Sequence, residues 1–400
     1  MRSLSARLSA SEPSATVAVA DRARRLKASG VDVISLATGD PDFSTPAHIV
    51  AAAERAMRDG DTHYPPSRGR AELVEAIVDK LARENGVGVS AGQVIVTPGA
   101  KWALFIALAA LLDPGDEVVV LDPSWVSYGP MVTLNGGTPI RIGLSAADDY
   151  AIREADLRAV VGERTKAILV NSPNNPTGRM LTASELAAIC AVARDEDLWV
   201  ISDEIYEHLR YDEREHVSPA TRPGMAERTI IINGFSKAYA MTGWRLGWLA
   251  APEPVAALAM NLHSQGVTSA ASFAMAGGVA ALTGRQDCVA DMVGEYASRR
   301  TYMVGALNAV PGIRCAAPDG AFYLFPRFAA GPGERIGPRD SVATAEALLE
   351  ATAIAAVPGI AFGEAGEGHL RFTIATARAD LERAMDRLEQ AAATLVGQGV

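Results

Sequence analysis

The sequence predicts an α/β chain, with a large domain built on a mostly parallel, seven-stranded sheet and a smaller α+β domain beside it. Two observations carry this expectation. After residue 90, short β-branched runs alternate with helix-length segments, the pattern of a parallel sheet covered on both faces. The chain has 400 residues, 49% hydrophobic and 21% charged, which is enough for one large core and a second, smaller one.

The expected strands are Gln93–Thr97, Glu117–Leu121, Thr138–Ile142, Lys166–Asn171, Leu198–Ser202, Thr229–Asn233 and Trp244–Ala250. Helices are expected over Lys101–Leu112, Thr182–Glu196 and Ala379–Leu395. Gly320–Phe325 and His369–Ile374 read as further strands, and residues 331–340 as a Gly/Pro/charge loop. The expected division is an N-terminal arm with part of the small domain at 1–45, the large domain at 46–285, and the small C-terminal domain at 286–400.

A formal net charge of -10 and a pI near 5.2 exclude a basic stripe for nucleic acid. Arg24-Arg25 and Arg299-Arg300 read as solvated helix faces. Cys190, Cys288 and Cys315 are odd in number and lack a Cys-x-x-Cys pair, so neither a disulfide framework nor a metal site is indicated, and a reducing cytoplasm fits. Met1–Ala20 has no continuous apolar core for a secretory signal. The uncharged stretch Ser264–Gly284 is diluted by Gln265, Gly266, Thr268 and Ser269, so it reads as packing and not as a membrane span.

The polar turns carry the chemistry. In Leu36-Ala37-Thr38-Gly39-Asp40-Pro41, Gly39 lets its backbone approach a ligand closely, or the segment is an ordinary Gly-Asp-Pro turn. Tyr64-Pro65-Pro66-Ser67-Arg68-Gly69 reads by itself as a loop with a packing tyrosine. At Thr97-Pro98-Gly99-Ala100-Lys101 a strand turns straight into an apolar helix. The free amides and dipole at that start make an anion site, although many such turns hold no ligand. Trp125, in Pro123-Ser124-Trp125-Val126-Ser127-Tyr128, follows a strand where α/β ligand sites open; the alternative is a core tryptophan. Asn171-Ser172-Pro173-Asn174-Asn175-Pro176-Thr177-Gly178 is denser in Asn and Pro than a turn requires. Asp203-Glu204-Ile205-Tyr206 ends a strand with a carboxylate that is either a ligand group or a helix cap.

The run Asn233-Gly234-Phe235-Ser236-Lys237-Ala238-Tyr239-Ala240-Met241-Thr242-Gly243-Trp244-Arg245 follows a buried strand. An amine among small and aromatic residues is partly desolvated, which disfavours the ammonium and leaves a nucleophile for a carbonyl. Ser236 and Arg245 offer a hydroxyl and a cation to a phosphate. Alone, Ser-Lys is also compatible with a solvated loop lysine. Arg371, in Gly368-His369-Leu370-Arg371-Phe372, is costly in an apolar strand unless a carboxylate pairs with it, as substrate or as internal salt bridge.

In this order the motifs resemble the class I/II aminotransferases, fold type I enzymes that use pyridoxal 5'-phosphate, over the chain from Ser14 to the last helix. The likeness is to the bacterial branch of aspartate aminotransferases, some of which also accept prephenate. The resemblance implies that Lys237 carries the cofactor and moves the substrate proton, with Asp203 on the ring nitrogen and Asn175 and Tyr206 at the phenolic oxygen. It implies Trp125 stacked on the ring and Gly99, Ala100, Lys101, Ser236 and Arg245 around the phosphate, with Tyr64 reaching the phosphate of a second subunit in a homodimer. Gly39, Trp125, Asn175 and Arg371 would hold the substrate's α-carboxylate end, and Ser14, Thr16 and Lys101 a distal carboxylate. For Ser14 and Thr16 the alternative is helix capping, and for Lys101 a charge serving the phosphate alone. The implied reaction is ping-pong transfer from L-aspartate or L-glutamate to a 2-oxo acid. Glu12 stands where prephenate-accepting relatives carry a basic residue. A lyase or an aromatic/prephenate aminotransferase on the same scaffold stays open, as does, more remotely, a cofactor-binding regulator.

Overall fold

The computed structural model describes residues 4, 5, 8, 15–328 and 340–397. Strand β1 (Ile34–Ser35) lies near the N-terminus, and the main sheet is made by β2 (Val94–Thr97), β3 (Glu117–Asp122), β4 (Thr138–Gly143), β5 (Thr165–Asn171), β6 (Trp199–Asp203), β7 (Thr229–Gly234) and β8 (Gly247–Ala250). Their order is β2-β8-β7-β6-β5-β3-β4. Strands β3 to β7 pair parallel, whereas β8 runs antiparallel to both β7 and β2. The expected strands are all present, but Trp244–Ala250 shortens to Gly247–Ala250 because Arg245 takes φ 52, a left-handed conformation that no strand accepts.

Both faces of the sheet are buried, which is why its strands read as unbroken apolar runs and do not alternate. One face packs on the helix Ala100–Leu111, the other on Ala183–Asp195. The second helix starts at a capping box: the Thr182 hydroxyl accepts from the Glu185 N–H, and the Glu185 carboxylate accepts from the Thr182 N–H at 2.8 Å.

The smaller domain contains β9 (Ile313–Arg314), β10 (Tyr323–Leu324), β11 (Arg327–Phe328), β12 (Ile354–Ala355), β13 (Val357–Pro358) and β14 (Leu370–Thr373). Strands β10, β14 and β13 form an antiparallel sheet, β9 pairs with β11, and β12 pairs parallel with β1. The strand expected over Gly320–Phe325 is only two residues long, since Ala321 adopts φ 56 and breaks the ladder. Helices Asp287–Ala309, Ser341–Thr352 and Arg378–Gly397 cover this domain. Its core, with Met303, Phe322, Phe372 and Leu388, continues onto Ile205, Tyr206 and Leu209 of the large domain. The loop expected over residues 331–340 lies outside the described residues except for Asp340, which caps the next helix through a hydrogen bond from the Ala343 N–H.

Arg299 corrects the expectation of a solvated basic pair. It is 5% exposed, bonds both Asp42 carboxylate oxygens at 2.8 and 2.9 Å, and lies over the rings of Phe43 and Tyr296. Arg300 pairs with Asp212 at 2.6 Å, whereas Arg24 and Arg25 are exposed as expected, Arg24 also lining the main cavity. The pair pattern in sequence does not reveal these partners, because both come from distant segments. The segment Ser264–Gly284 forms the end of helix Glu253–Gly266 and helix Ser272–Thr283, with Ala274, Met275, Gly277 and Gly278 buried. Among the described residues no helix is long and apolar enough to cross a membrane.

Candidate active site

The sheet gathers the site at one edge. Because β3, β5, β6 and β7 run parallel, their C-terminal ends lie side by side, with Asn171 opposite Asp203 and Asp203 opposite Ile232. Thr97 and Gly234 both pair with Gly247, so β2 ends and β8 begins at the same edge. The loops that follow these ends place Ala100, Lys101, Trp125, Asn175, Asp203, Tyr206, Ser236, Lys237 and Arg245 around one cavity of about 430 Å³. Gly39, Tyr323 and Arg371 close it from the small-domain side, and Thr16 and Arg24 from the N-terminal helix.

Five cationic side chains (Arg24, Lys101, Lys237, Arg245 and Arg371) line this cavity against two carboxylates, Asp40 and Asp203. The excess specifies an anionic ligand. Lys237 lies in the wall with its amine donating to the Gly39 carbonyl at 2.6 Å. Burial is the main cause that brings its pKa down to about 8, so the amine is mostly cationic but a minor share is neutral near physiological pH. Asp203 accepts from the Tyr128 hydroxyl at 2.7 Å and from the Ile205 N–H at 3.2 Å. Burial pushes its carboxyl up to about 6, and no cation pairs with it among the described residues. A protonated ring nitrogen is the partner such a carboxylate lacks.

Arg371 is 2% exposed and donates to the Asn175 side-chain oxygen at 3.0 Å and the Ala37 carbonyl at 2.6 Å. Its guanidinium lies over the rings of Tyr323 and Phe362, and its Nε has no hydrogen-bond partner. No carboxylate pairs with it among the described residues, so the salt-bridge alternative fails and a buried cation faces the cavity unneutralised. Asn175, Tyr206 and Tyr323 complete this side, the two tyrosine hydroxyls being 2.9 Å apart.

At the other end Gly99, with φ 88, starts the helix Ala100–Leu111, whose first amides have no partner inside the helix. A Cβ on Gly99 would stand 2.6 Å from the Arg245 guanidinium, so glycine is what lets the cation close over the helix start. Ser236 adds its hydroxyl, and Lys101 lies over the Trp125 ring at 4.8 Å. Burial, then the nearby Arg245, lowers the pKa of Lys101.

Of the residues singled out from sequence, Tyr64 does not line the cavity; it is 88% exposed. Ser14 and Glu12 lie outside the described residues. Tyr128 and Tyr323 were missed. Tyr128 is quoted in the motif that gave Trp125, but its bond joins the start of helix Tyr128–Leu134 to the end of β6 at Asp203 and leaves no local signal. Tyr323 read as a strand residue of the small domain.

The residues fit pyridoxal 5'-phosphate at three points: a partly neutral amine, a buried carboxylate without a cation, and an anion cradle at a helix start. Fold and site together define an α/β enzyme that depends on that cofactor. The family model of class I and II aminotransferases matches residues 31–388, and this chain belongs to that family. It is 42% identical to an aspartate aminotransferase of Musicola paradisiaca, across 98% of this chain and 97% of that protein. It is 43% identical to the aspartate/prephenate aminotransferase of Thermus thermophilus, across 97% and 98%. The solved aspartate aminotransferase from Thermus thermophilus with maleate superimposes with a TM-score of 0.92 at 41% identity, covering 98% of this chain and all of that one. The protein is a pyridoxal 5'-phosphate-dependent aminotransferase.

Proposed function

We propose that this aminotransferase takes its amino group from L-aspartate or L-glutamate and delivers it to oxaloacetate or 2-oxoglutarate, with ping-pong kinetics. Lys237 would hold the cofactor's aldehyde carbon, Asp203 its ring nitrogen, and Asn175 and Tyr206 its phenolic oxygen. Gly99, Ala100, Lys101, Ser236 and Arg245 would hold its phosphate, and Trp125 its ring face. When bound, the cofactor supplies the electron-withdrawing ring that acidifies the amino acid's Cα proton. Lys237 Nζ is the base that takes that proton and returns it, and a pKa of about 8 suits a group that must do both near neutral pH. Asp203, ionised, would keep the cofactor's ring nitrogen protonated, and the Tyr128 hydroxyl orients that carboxylate. Arg371, with Asn175 beside it and the backbone of Gly39 nearby, takes the α-carboxylate.

One observation carries the substrate assignment: Lys101 lines the same cavity as Arg371, so two unneutralised cations await a ligand with two carboxylates. Thr16 lines the cavity too, and the maleate held by the Thermus relative is a dicarboxylate. Prephenate is expected to be a poor acceptor, since Glu12 adds a negative charge to the segment leading into the Thr16 helix. Measuring kcat/KM in Lys101→Ser tests the assignment. A loss of about 10-fold or more confined to dicarboxylic donors supports it, whereas an equal loss for L-phenylalanine would mean that Lys101 serves the phosphate alone.

The exposure of Tyr64, away from its own cavity, supports a homodimer in which it reaches the neighbour's phosphate. We also place the domain boundaries at 45/46 and 285/286 and the enzyme in the cytoplasm, the latter supported by three free thiols.

A further inference from the structure

The turn that follows β6 has two faces. Asp203 and Tyr206 point into the cavity; Glu204 and Glu207, one residue on from each, point the opposite way and are 0% and 4% exposed. The turn is closed by the Glu207 N–H donating to the Glu204 carbonyl at 2.9 Å. Two carboxylates this deep are costly unless each is neutralised and hydrogen-bonded.

Glu207 is fully engaged. Lys80, itself 2% exposed, makes a short ion pair with it, and the side-chain amides of Asn85 and Asn233 donate to its two oxygens at 2.6 Å each. Asn233 in turn accepts from the Gly234 N–H at 2.7 Å, at the start of the loop that carries Ser236 and Lys237. Glu204 accepts from Ser202 at 2.9 Å and Ser218 at 2.6 Å on one oxygen. Its other oxygen stands 3.1 Å from His216 Nε2, an ion-pair distance, and neither of those two atoms makes a hydrogen bond among the described residues. The His216 side chain is 3% exposed. Glu204, Glu207 and His216 come within 4.8 Å of one another, a spacing that suits a metal ion, but the Lys80 ammonium and two amides already occupy Glu207. The arrangement is a network of ion pairs in which Lys80 faces Glu207 and His216 faces Glu204.

We propose that the pairs Glu204–His216 and Glu207–Lys80 are positioning residues for the reaction, a charged scaffold on the far side of the turn that fixes Asp203, Tyr206 and the root of the Lys237 loop. The inference rests on the reading of Asp203 as the partner of the cofactor's ring nitrogen. The scaffold is pH-dependent through His216. Burial pushes the imidazole pKa down, and Glu204, aided by Glu207 and opposed by Lys80, more than offsets this, so the value lies above the ordinary 6.5. His208, which lies 3.7 Å from both Glu207 and Glu84, is held below its ordinary value chiefly by burial. A raised histidine pKa means that the pair is fully formed below pH 6.5 and is lost as pH rises through the raised value. Glu204 is then left buried without a counter-charge, and the turn loosens.

The test follows the bound cofactor's visible spectrum against pH, its Kd for the apo-protein, and the thermal midpoint, in wild type, H216Q, E204Q and E204Q/H216Q, with D203N as reference. H216Q should weaken cofactor binding about tenfold and shift the spectral midpoint, because it strands a buried carboxylate. The double variant should return to within about threefold of wild type, since both charges are gone. E204Q keeps the shape and the serine hydrogen bonds, and it should abolish the alkaline weakening of cofactor binding even if H216Q does not fold. Thermal midpoints that fall while the spectra and Kd stay at wild-type values would make the network merely structural and overturn the proposal. If D203N also leaves the spectrum unchanged, the reading of Asp203 falls with it; if D203N shifts the spectrum and the network variants do not, the present inference alone fails.

Discussion

A Cβ on residue 39 would stand 2.3 Å from the Tyr323 hydroxyl, so the glycine of the Gly-Asp-Pro turn is required by a tyrosine from the other end of the chain. Tyr323 is held there by the hydroxyl of Tyr206 at 2.9 Å and by the Arg371 guanidinium over its ring. Gly39→Ala must therefore push Tyr323 away from both. The expected outcome is a protein that folds with a loss of about 1–3 kcal/mol and a fall in kcat/KM larger than the fall in cofactor affinity, read by steady-state kinetics and cofactor titration. An unchanged kcat/KM would show that the contact has no role in substrate binding.

Lys237 should govern how fast the apo-protein captures its cofactor. Only the neutral amine attacks a carbonyl, and its pKa is brought down to about 8, so the capture rate should rise with pH and level off above that value. Stopped-flow reconstitution over a series from about pH 6 to about pH 10, which spans that value, reads this directly. Lys237→Ala should lose the visible absorbance of the bound cofactor and nearly all turnover.

Tyr128→Phe removes a hydroxyl that lowers the pKa of Asp203. The carboxyl should then rise above about 6, its protonation beginning at higher pH as conditions are made more acid. The acid limb of the kcat/KM profile should move to higher pH, with about a tenfold loss of rate at its foot. A limb that stays in place would separate Tyr128 from Asp203 function.

The homodimer proposal predicts complementation. Neither Lys237→Ala nor Tyr64→Ala homodimers should be fully active. A hybrid of the two should regain one intact site, with Lys237 from one subunit and Tyr64 from its partner. Hybrids that recover nothing would mean that each tyrosine serves its own chain or none.

The sheet and the class of chemistry are legible in the amino-acid sequence alone. Strands β2 to β8 are legible because both faces of a parallel sheet are buried, which leaves uninterrupted runs such as Thr229-Ile230-Ile231-Ile232. The polar turns at their ends are legible for the complementary reason: Asn175, Asp203 and Lys237 sit where an apolar run stops, and they come in an order that resembles one family. Tertiary structure alone decided which side chains answer each other. Tyr128 reads as one aromatic among several until β3 and β6 bring it to Asp203. Arg299 reads as half of a solvated pair until the small domain folds Asp42 against it. Glu204 and Glu207 read as ordinary acidic residues beside Asp203 and Tyr206 until Lys80, Asn233 and His216 converge behind them. Local pattern records how a residue meets its own strand or turn, since periodicity and turn chemistry act over a few residues. A buried charge or hydroxyl is satisfied by whatever group the fold carries to it, and that partner is fixed by packing between distant segments.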